Sequence, residues 1–323
     1  MSFPLRASIE ITRNCNLGCV MCPHSRLPKY ATWDPARDMS AGLFERVVTE
    51  LLPHVEEAQL QGLGETTVAP RWPAFLERLT RRDGRARLKL VTNATRLDDR
   101  LWERTVAAGI AIGASIDGAT PESYAAVRVG GRLEPVRRNL ELLGRLGADL
   151  TLMVTVQRAN LRELPAFVEL AARVGARRVE LTRVVSGLRR GPLRTLRQLL
   201  RPAPGLDGLP ESLIVERRDA AVERGRALGV EVALMDSLLD APPPRRWECV
   251  KPWTYLVVRH DGDIGLCNHL IGDEHWESMG NLADCGFEEI WDGPAFRRAR
   301  QEHAAGRPLN EACGWCYARR LAD

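Results

Sequence analysis

No run of about 18 apolar residues occurs in the 323-residue chain, so nothing in it reads as a membrane-spanning helix. The N-terminus also lacks the basic-then-apolar pattern of a secretory signal. Net charge is only +4, too mild to imply a nucleic-acid partner. No internal repeat is evident. These absences predict a cytoplasmic chain with neither a membrane nor a nucleic acid as its partner. What is present is a hydrophobic content of 45%, enough for a substantial core, and a length that accommodates one large domain and a small one. Eight cysteines stand out, because in a reducing compartment they serve more commonly as metal ligands than as disulfides. Arginine pairs such as Arg81-Arg82 and Arg137-Arg138 fall on helical stretches and read as solvated faces.

Apolar, strand-like runs alternate with stretches of helical period, the pattern of successive βα units around a parallel sheet. Strands are predicted near residues 7–12, 57–62, 87–92, 111–116, 150–156 and 178–184. Ser40 is placed to cap a helix running through Leu52, with Pro53 at its end. Further helices are predicted around 73–82, 98–108, 133–146 and 162–174. Residues 186–215 break the pattern with Gly, Pro and Arg and read as an insertion. A last helix over 216–228 and a short strand over 230–234 follow, and the Ala241-Pro-Pro-Pro-Arg run reads as a semi-rigid linker. The expected division is therefore a first domain over 1–240 and a second over 241–323.

Just after the first strand comes Ile9-Glu-Ile-Thr-Arg-Asn-Cys-Asn-Leu-Gly-Cys-Val-Met-Cys-Pro, a C-x3-C-x2-C loop of Cys15, Cys19 and Cys22. Three thiolates hold three irons of a cubane and leave the fourth open to another ligand, which makes such a cluster a reagent. A zinc knuckle is the competing reading, with His24 as fourth ligand at an awkward spacing from Cys22. The loop resembles that of the radical S-adenosylmethionine (SAM) superfamily. That resemblance implies an α/β fold, a partial (β/α)6 barrel carrying a 4Fe-4S cluster whose open iron is chelated by SAM. It further implies reductive cleavage of SAM to a 5'-deoxyadenosyl radical, and hence an external electron donor of flavodoxin or ferredoxin type.

Several strand ends fit the SAM-binding positions of that family. Gln61-Gly-Leu-Gly-Glu65 resembles its Gly-Gly-Glu motif, with Gly62 and Gly64 allowing close backbone approach and Glu65 accepting from the methionine ammonium. Leu63 stands where the first glycine of the pair is usual. Thr92 and Asn93 end the third strand, and Ser115 and Asp117 end the fourth, where they fit contacts to the ribose and carboxylate of SAM. Arg128 lies in a segment resembling one near the methionine carboxylate. Thr155 and Gln157 end the fifth strand, Leu181 in the sixth is a candidate to pack on adenine, and Met21 occupies a position where an aromatic usually covers adenine. Each motif alone also reads as ordinary turn chemistry; their order along successive strands carries the weight.

The remaining cysteines are Cys249, Cys267, Cys285, Cys313 and Cys316. Tyr255 to Cys267 reads as a hairpin turning at Asp261-Gly262, and Cys313-Gly-Trp-Cys316 follows. The region resembles SPASM and shorter twitch domains, which implies an auxiliary 4Fe-4S cluster, while a zinc ribbon is the plainer alternative. Five thiols exceed the needs of one cubane. One partition takes Cys249, Cys267, Cys313 and Cys316 as ligands; the other takes Cys267, Cys285, Cys313 and Cys316 and leaves Cys249 as a hydrogen donor. The second resembles the radical SAM epimerases of aminoglycoside biosynthesis, which invert a sugar carbon as in neomycin C to neomycin B at C-5'''. It implies a small-molecule aminoglycoside substrate, with Cys249 catalytic. The first partition resembles aminocyclitol dehydrogenases that use the auxiliary cluster as electron acceptor. A peptide-modifying SPASM enzyme is a further alternative, set lower because the short run before Cys15 offers little room for a peptide-recognition domain, and a non-enzymatic iron-sulfur protein is set lowest. For a polycationic substrate, Asp261, Asp263, Asp273, Glu274 and Glu277, with His269 and His275 among them, are candidate contacts.

Overall fold

The structure, a computed structural model, describes residues 3–26, 32–84, 86–184, 205–235, 238–239, 249–272 and 275–314. Its backbone is one ten-stranded sheet in the order β10-β9-β8-β1-β2-β3-β4-β5-β6-β7. Strands β1 (Arg6–Ile9), β2 (Glu57–Leu60), β3 (Arg87–Thr92), β4 (Ala111–Ser115), β5 (Leu150–Val156) and β6 (Arg178–Arg183) run parallel and in sequence order, as the alternation of βα units predicts. β7 (Glu231–Leu234) extends the parallel run by one strand. Between these strands lie α1 (Ala41–Arg46), α2 (Trp72–Thr80), α3 (Asp99–Ala107), α4 (Pro121–Val127), α5 (Leu133–Arg145), α6 (Leu164–Val174) and α7 (Glu211–Leu228).

The helix starts follow from local chemistry. Ser40 caps α1, its hydroxyl accepting the Leu43 amide at 3.1 Å, and the chain continues through a π-helical turn and a 3-10 turn that contains Pro53. The short α4 is absent from the sequence expectation, yet Thr120 and Ser123 form a reciprocal capping box at its start. Within the expected insertion, residues 185–204 lie outside the described residues, and α7 begins at Glu211, five residues earlier than the sequence pattern suggests. The proline-rich linker lies outside the described residues as well.

Strand parity divides the sheet's two faces. Ile9, Leu60, Leu90, Ile112, Leu152 and Leu181 are buried against the helices, together with Trp72, Trp102, Phe44 and Phe167. The opposite face carries Ser8, Gln59, Lys89, Gly113, Met153 and Glu180. A Cβ on Gly113 would meet Met153 Sδ at 2.6 Å and Lys89 Cε at 2.9 Å, and Lys89 Nζ reaches Glu180 Oε1 at 3.5 Å, so four strands converge on one interior.

The C-terminal region continues the same sheet. β8 (Tyr255–Val258) pairs parallel with β1, Arg6 opposite Tyr255 and Ile9 opposite Val258. β9 (Asp263–Gly265) and β10 (Ser278–Asn281) then form an antiparallel meander. The predicted turn at Asp261-Gly262 is present, with Gly262 at φ +85°, a left-handed conformation that glycine adopts without strain. Short helices α8 (Lys251–Thr254), α9 (Phe287–Trp291), α10 (Pro294–Ala304) and α11 (Glu311–Gly314) pack around it.

Candidate active site

Ile9 ends β1, and the chain then carries a charge into the interior. Glu10 is wholly buried and is met by Arg13 Nη2 at 2.9 Å, His260 Nδ1 at 3.0 Å and the Leu63 amide at 2.9 Å. Burial alone would raise its pKa, but His260, Arg13 and the Leu63 amide hold it down at about 2. One carboxylate thus ties together the approach to the cysteine loop, the glycine motif after β2 and the β8–β9 turn.

Thr12 and Asn14 fasten the loop's entry. Thr12 Oγ1 donates to Asp38 Oδ1 at 2.5 Å, and Asn14 Nδ2 reaches the same oxygen at 3.0 Å. Beyond them the loop lies against the end of α4, with Gly18 N donating to Val129 O at 2.8 Å and Val20 N to Val127 O at 3.0 Å. Cys22 N closes a turn onto Cys19 O at 3.1 Å. Burial pushes the Cys15 thiol up to about 12, and the neighbouring Glu65, Cys19 and Cys22 add to the rise. Cys19 is likewise raised by burial and opposed by Arg128, with Cys22 adding to the rise. Cys15, Cys19 and Cys22, mutually coupled on a half-buried loop, are the thiols such a loop would offer to metal cations. Gln157 at the end of β5 is wholly buried with neither amide atom hydrogen-bonded, and the Tyr124 hydroxyl is also buried without a partner. Thiols for iron, with a buried polar group after β5 and another on α4, fit a cluster bearing a polar organic ligand.

The structure sorts the predicted SAM contacts. Glu65 accepts from Thr67 N at 3.1 Å, Thr67 Oγ1 at 2.7 Å, Thr92 Oγ1 at 2.6 Å and Asn93 N at 2.6 Å. A carboxylate offers about four lone-pair sites, so Glu65 and Thr92 here knit the ends of β2 and β3 and leave little for an ammonium. Asn93 Nδ2 reaches Asn16 Oδ1 in the cysteine loop at 2.9 Å. Gly62 and Gly64 serve the close approach of the β1 extension, since a Cβ would stand 2.3 Å from Glu10 Cγ and 2.2 Å from Thr12 O respectively. Asp117 binds Arg128 Nε and Nη2, each at 2.7 Å, and accepts the Thr155 amide at 2.7 Å. Burial opposes the Arg128 charge, yet Asp117 and then Cys19 prevail and raise its pKa. Asp117 and Arg128 thus form a strut from β4 to the cysteine loop. Ser115 faces the interior, Met21 lies half-buried in the loop, and Leu181 sits on the helix-facing side of β6, so Glu180 and Thr182 rather than Leu181 face the interior.

Sequence reading missed Glu10, His260 and Asn160. Asn160 Nδ2 bridges Asp117 O at 3.1 Å and Thr155 O at 3.0 Å, while its Oδ1 takes the Gln157 amide at 2.8 Å. A charged residue at the end of an apolar strand was the available signal for Glu10.

In the second region, Cys267 follows β9 and is contacted by Lys251 Nζ at 3.1 Å, Lys251 lying two residues past Cys249. Cys313 N donates to Asn310 Oδ1 at 3.1 Å, and Asn310 Nδ2 reaches Glu277 and His275, each at 3.1 Å, just before β10. Ser278, next to Glu277, pairs with Gly265, which places Cys313 toward the Cys267 end. Cys285 is at the other end: its Sγ donates to Asn281 O at 3.7 Å, Asn281 pairs with Asp263, and Arg46 holds the Cys285 carbonyl at 3.0 Å. Cys267 lies two residues past the Gly265 end of β9, whereas Cys285 is tied to Asn281 at its Asp263 end, so the two thiols leave opposite ends of the hairpin. Cys316 lies outside the described residues. The carboxylates considered for a polycation are engaged otherwise: Asp261 and Asp263 with Arg259, Asp263 also with Trp276 and Ser278, and Glu277 with Arg298. Asp273 and Glu274 lie outside the described residues.

An incomplete parallel barrel with three cysteines on the loop after its first strand defines a cluster-dependent radical enzyme. The chain belongs to the radical SAM superfamily, which its residues 9–171 match, and residues 249–317 match an iron-sulfur cluster-binding domain. Its cofactors are accordingly SAM, the SAM-binding 4Fe-4S cluster and auxiliary iron-sulfur clusters. It is 29% identical to the mycofactocin maturase MftC of Mycobacterium ulcerans over 97% of this chain and 80% of that protein. It is 28% identical to the PqqA peptide cyclase of Granulibacter bethesdensis over 92% of this chain and 76% of that one. Among solved structures, Streptococcus suis SuiB bound to precursor peptide SuiA shares the fold, with a TM-score of 0.73 at 16% identity over 98% of this chain and 70% of SuiB.

These findings overturn the aminoglycoside epimerase expectation and its small-molecule substrate. Relatives that span nearly the whole chain include maturases and peptide cyclases. No described helix is long and apolar enough to cross a membrane.

Proposed function

We propose that this chain is a peptide-modifying radical SAM enzyme, a maturase acting on a precursor peptide. The observation that carries the reading is its similarity, along 97% of its length, to the mycofactocin maturase. When bound, the cluster and SAM supply one-electron chemistry that removes hydrogen from an unactivated carbon. Cys15, Cys19 and Cys22 hold the irons. Arg128, oriented by Asp117, offsets the negative charge gathered at Cys19. Glu10 and Glu65 lock the ends of the first three strands beside the cysteine loop. In the second region Cys249, Cys267, Cys313 and Cys316 are the auxiliary-cluster ligands of this reading, and an external flavodoxin- or ferredoxin-type protein is the electron source. The first domain ends near 240.

The test uses the fully loaded chain with reductant, SAM and uniformly deuterated peptides translated from short reading frames flanking its gene. Deuterium is expected in 5'-deoxyadenosine, accompanied by a mass change in the peptide. Transfer from deuterated neomycin C, with none from any peptide, would overturn the reading.

A further inference from the structure

One contact in the second region does more than hold a fold together. Lys251 opens α8 two residues after Cys249, and its Nζ lies 3.1 Å from Cys267 Sγ, 2.9 Å from Asn268 Oδ1 and 4.9 Å from the centre of the Tyr255 ring. The ammonium is thus held by a sulfur, an amide oxygen and an aromatic face. Cys267 itself is buried, so little water intervenes to screen the charge. Tyr255 is fixed in turn by the barrel, its hydroxyl 2.5 Å from Ser8 Oγ, which Gln61 Nε2 also approaches at 3.1 Å.

The potential of an iron-sulfur cluster responds to the net charge around it and to hydrogen bonds on its sulfurs. A donor on a ligand sulfur draws electron density from the irons, and a fixed positive charge stabilises the state with one more electron. We propose that Lys251 sets the reduction potential of the auxiliary cluster ligated by Cys267, raising it so that the cluster takes up an electron more readily than it would with a neutral residue at this position. The proposal rests on Cys267 as a cluster ligand and goes beyond the peptide reading, on which it does not depend.

The experiment is an EPR-monitored redox titration of the fully loaded chain beside its K251M, K251Q and K251R variants. The radical-site cluster, identified by its change of signal on adding SAM, is the internal reference and should not move. In K251M the reduced-to-oxidised ratio of the auxiliary cluster at a fixed potential should fall about tenfold, a downward shift of 59 mV for one electron. K251R should restore the wild-type value, and K251Q, which keeps a donor but no charge, should fall between. If K251M does not retain the cluster, K251Q carries the measurement. A midpoint equal to wild type in a neutral variant with full iron content overturns the proposal, as does loss of the auxiliary cluster from both neutral variants, which would make Lys251 an assembly residue. An auxiliary signal absent from the wild type would overturn the Cys267 assignment and this proposal together, leaving the peptide reading to its deuterium test.

Discussion

Glu10 shows how much one side chain decides here. Its carboxyl, held at about 2 against an ordinary 4.5, contributes stability that is fully present above pH 4.5 and is lost as the pH falls toward 2. The shift corresponds to about 3 kcal/mol. Glu10→Gln should therefore lower the unfolding free energy near neutrality and flatten its decline below pH 4.5, as urea titrations at stepped pH would read; a wild-type slope in the variant would show the charge to be idle. Asp117→Asn strands the buried Arg128 and should cost roughly 3 kcal/mol, measured as a lower denaturation midpoint, with a perturbed cluster signal because Arg128 also faces Cys19. Gly64→Ala puts a methyl 2.2 Å from the Thr12 carbonyl, a backbone atom that cannot swing aside. Iron analysis of that variant should show the loss of the radical-site cluster, whereas full iron content would mean that the loop has room to spare. The chemistry of the cysteine loop was legible because its spacing is local. The task of Glu65 was not, since its four donors come from Thr67, Thr92 and Asn93, and the last two lie a whole βα unit downstream.

At the level of elements, the parallel strands were readable from their apolar runs, but their ends were overcalled. Residues after Ile9 and Leu60 leave the ladder to pack Glu10 against Gly62 and Leu63, so apolar character outlasts strand geometry. The four-residue α8 and the seven-residue α4 are too short to show a helical period, and only the Thr120-Pro121 start announced α4. The hairpin carries the sharpest element-scale prediction. Because Cys267 and Cys285 stand at opposite ends of β9, Cys285→Ala should keep its full iron content while Cys249→Ala loses auxiliary-cluster iron, read by iron and sulfide analysis. The reverse result would restore Cys285 as a ligand. Spacing along the chain could not choose between the two partitions, since it records how many residues separate two thiols and not which end of a hairpin each occupies.

Across the whole molecule, the C-terminal region is joined to the barrel by the β8–β1 ladder and by the His260–Glu10 contact. His260→Ala leaves Glu10 with Arg13 and the Leu63 amide but removes the link, and it should loosen the β8–β9 turn. Hydrogen exchange should then rise at residues 259–263 ahead of β2–β5, and uniform exchange would argue against a local joint. The sequence by itself determined the superfamily, the three-cysteine loop and the order of the βα units, because each is written in residues close together along the chain. Only the tertiary structure set Cys285 at the opposite end of the hairpin from Cys267, paired the charges of Asp117 and Arg128 with each other, and ran one sheet through both regions. Those are questions of three-dimensional distance between residues as far apart as Glu10 and His260, where burial and pairing, not spacing, set the outcome.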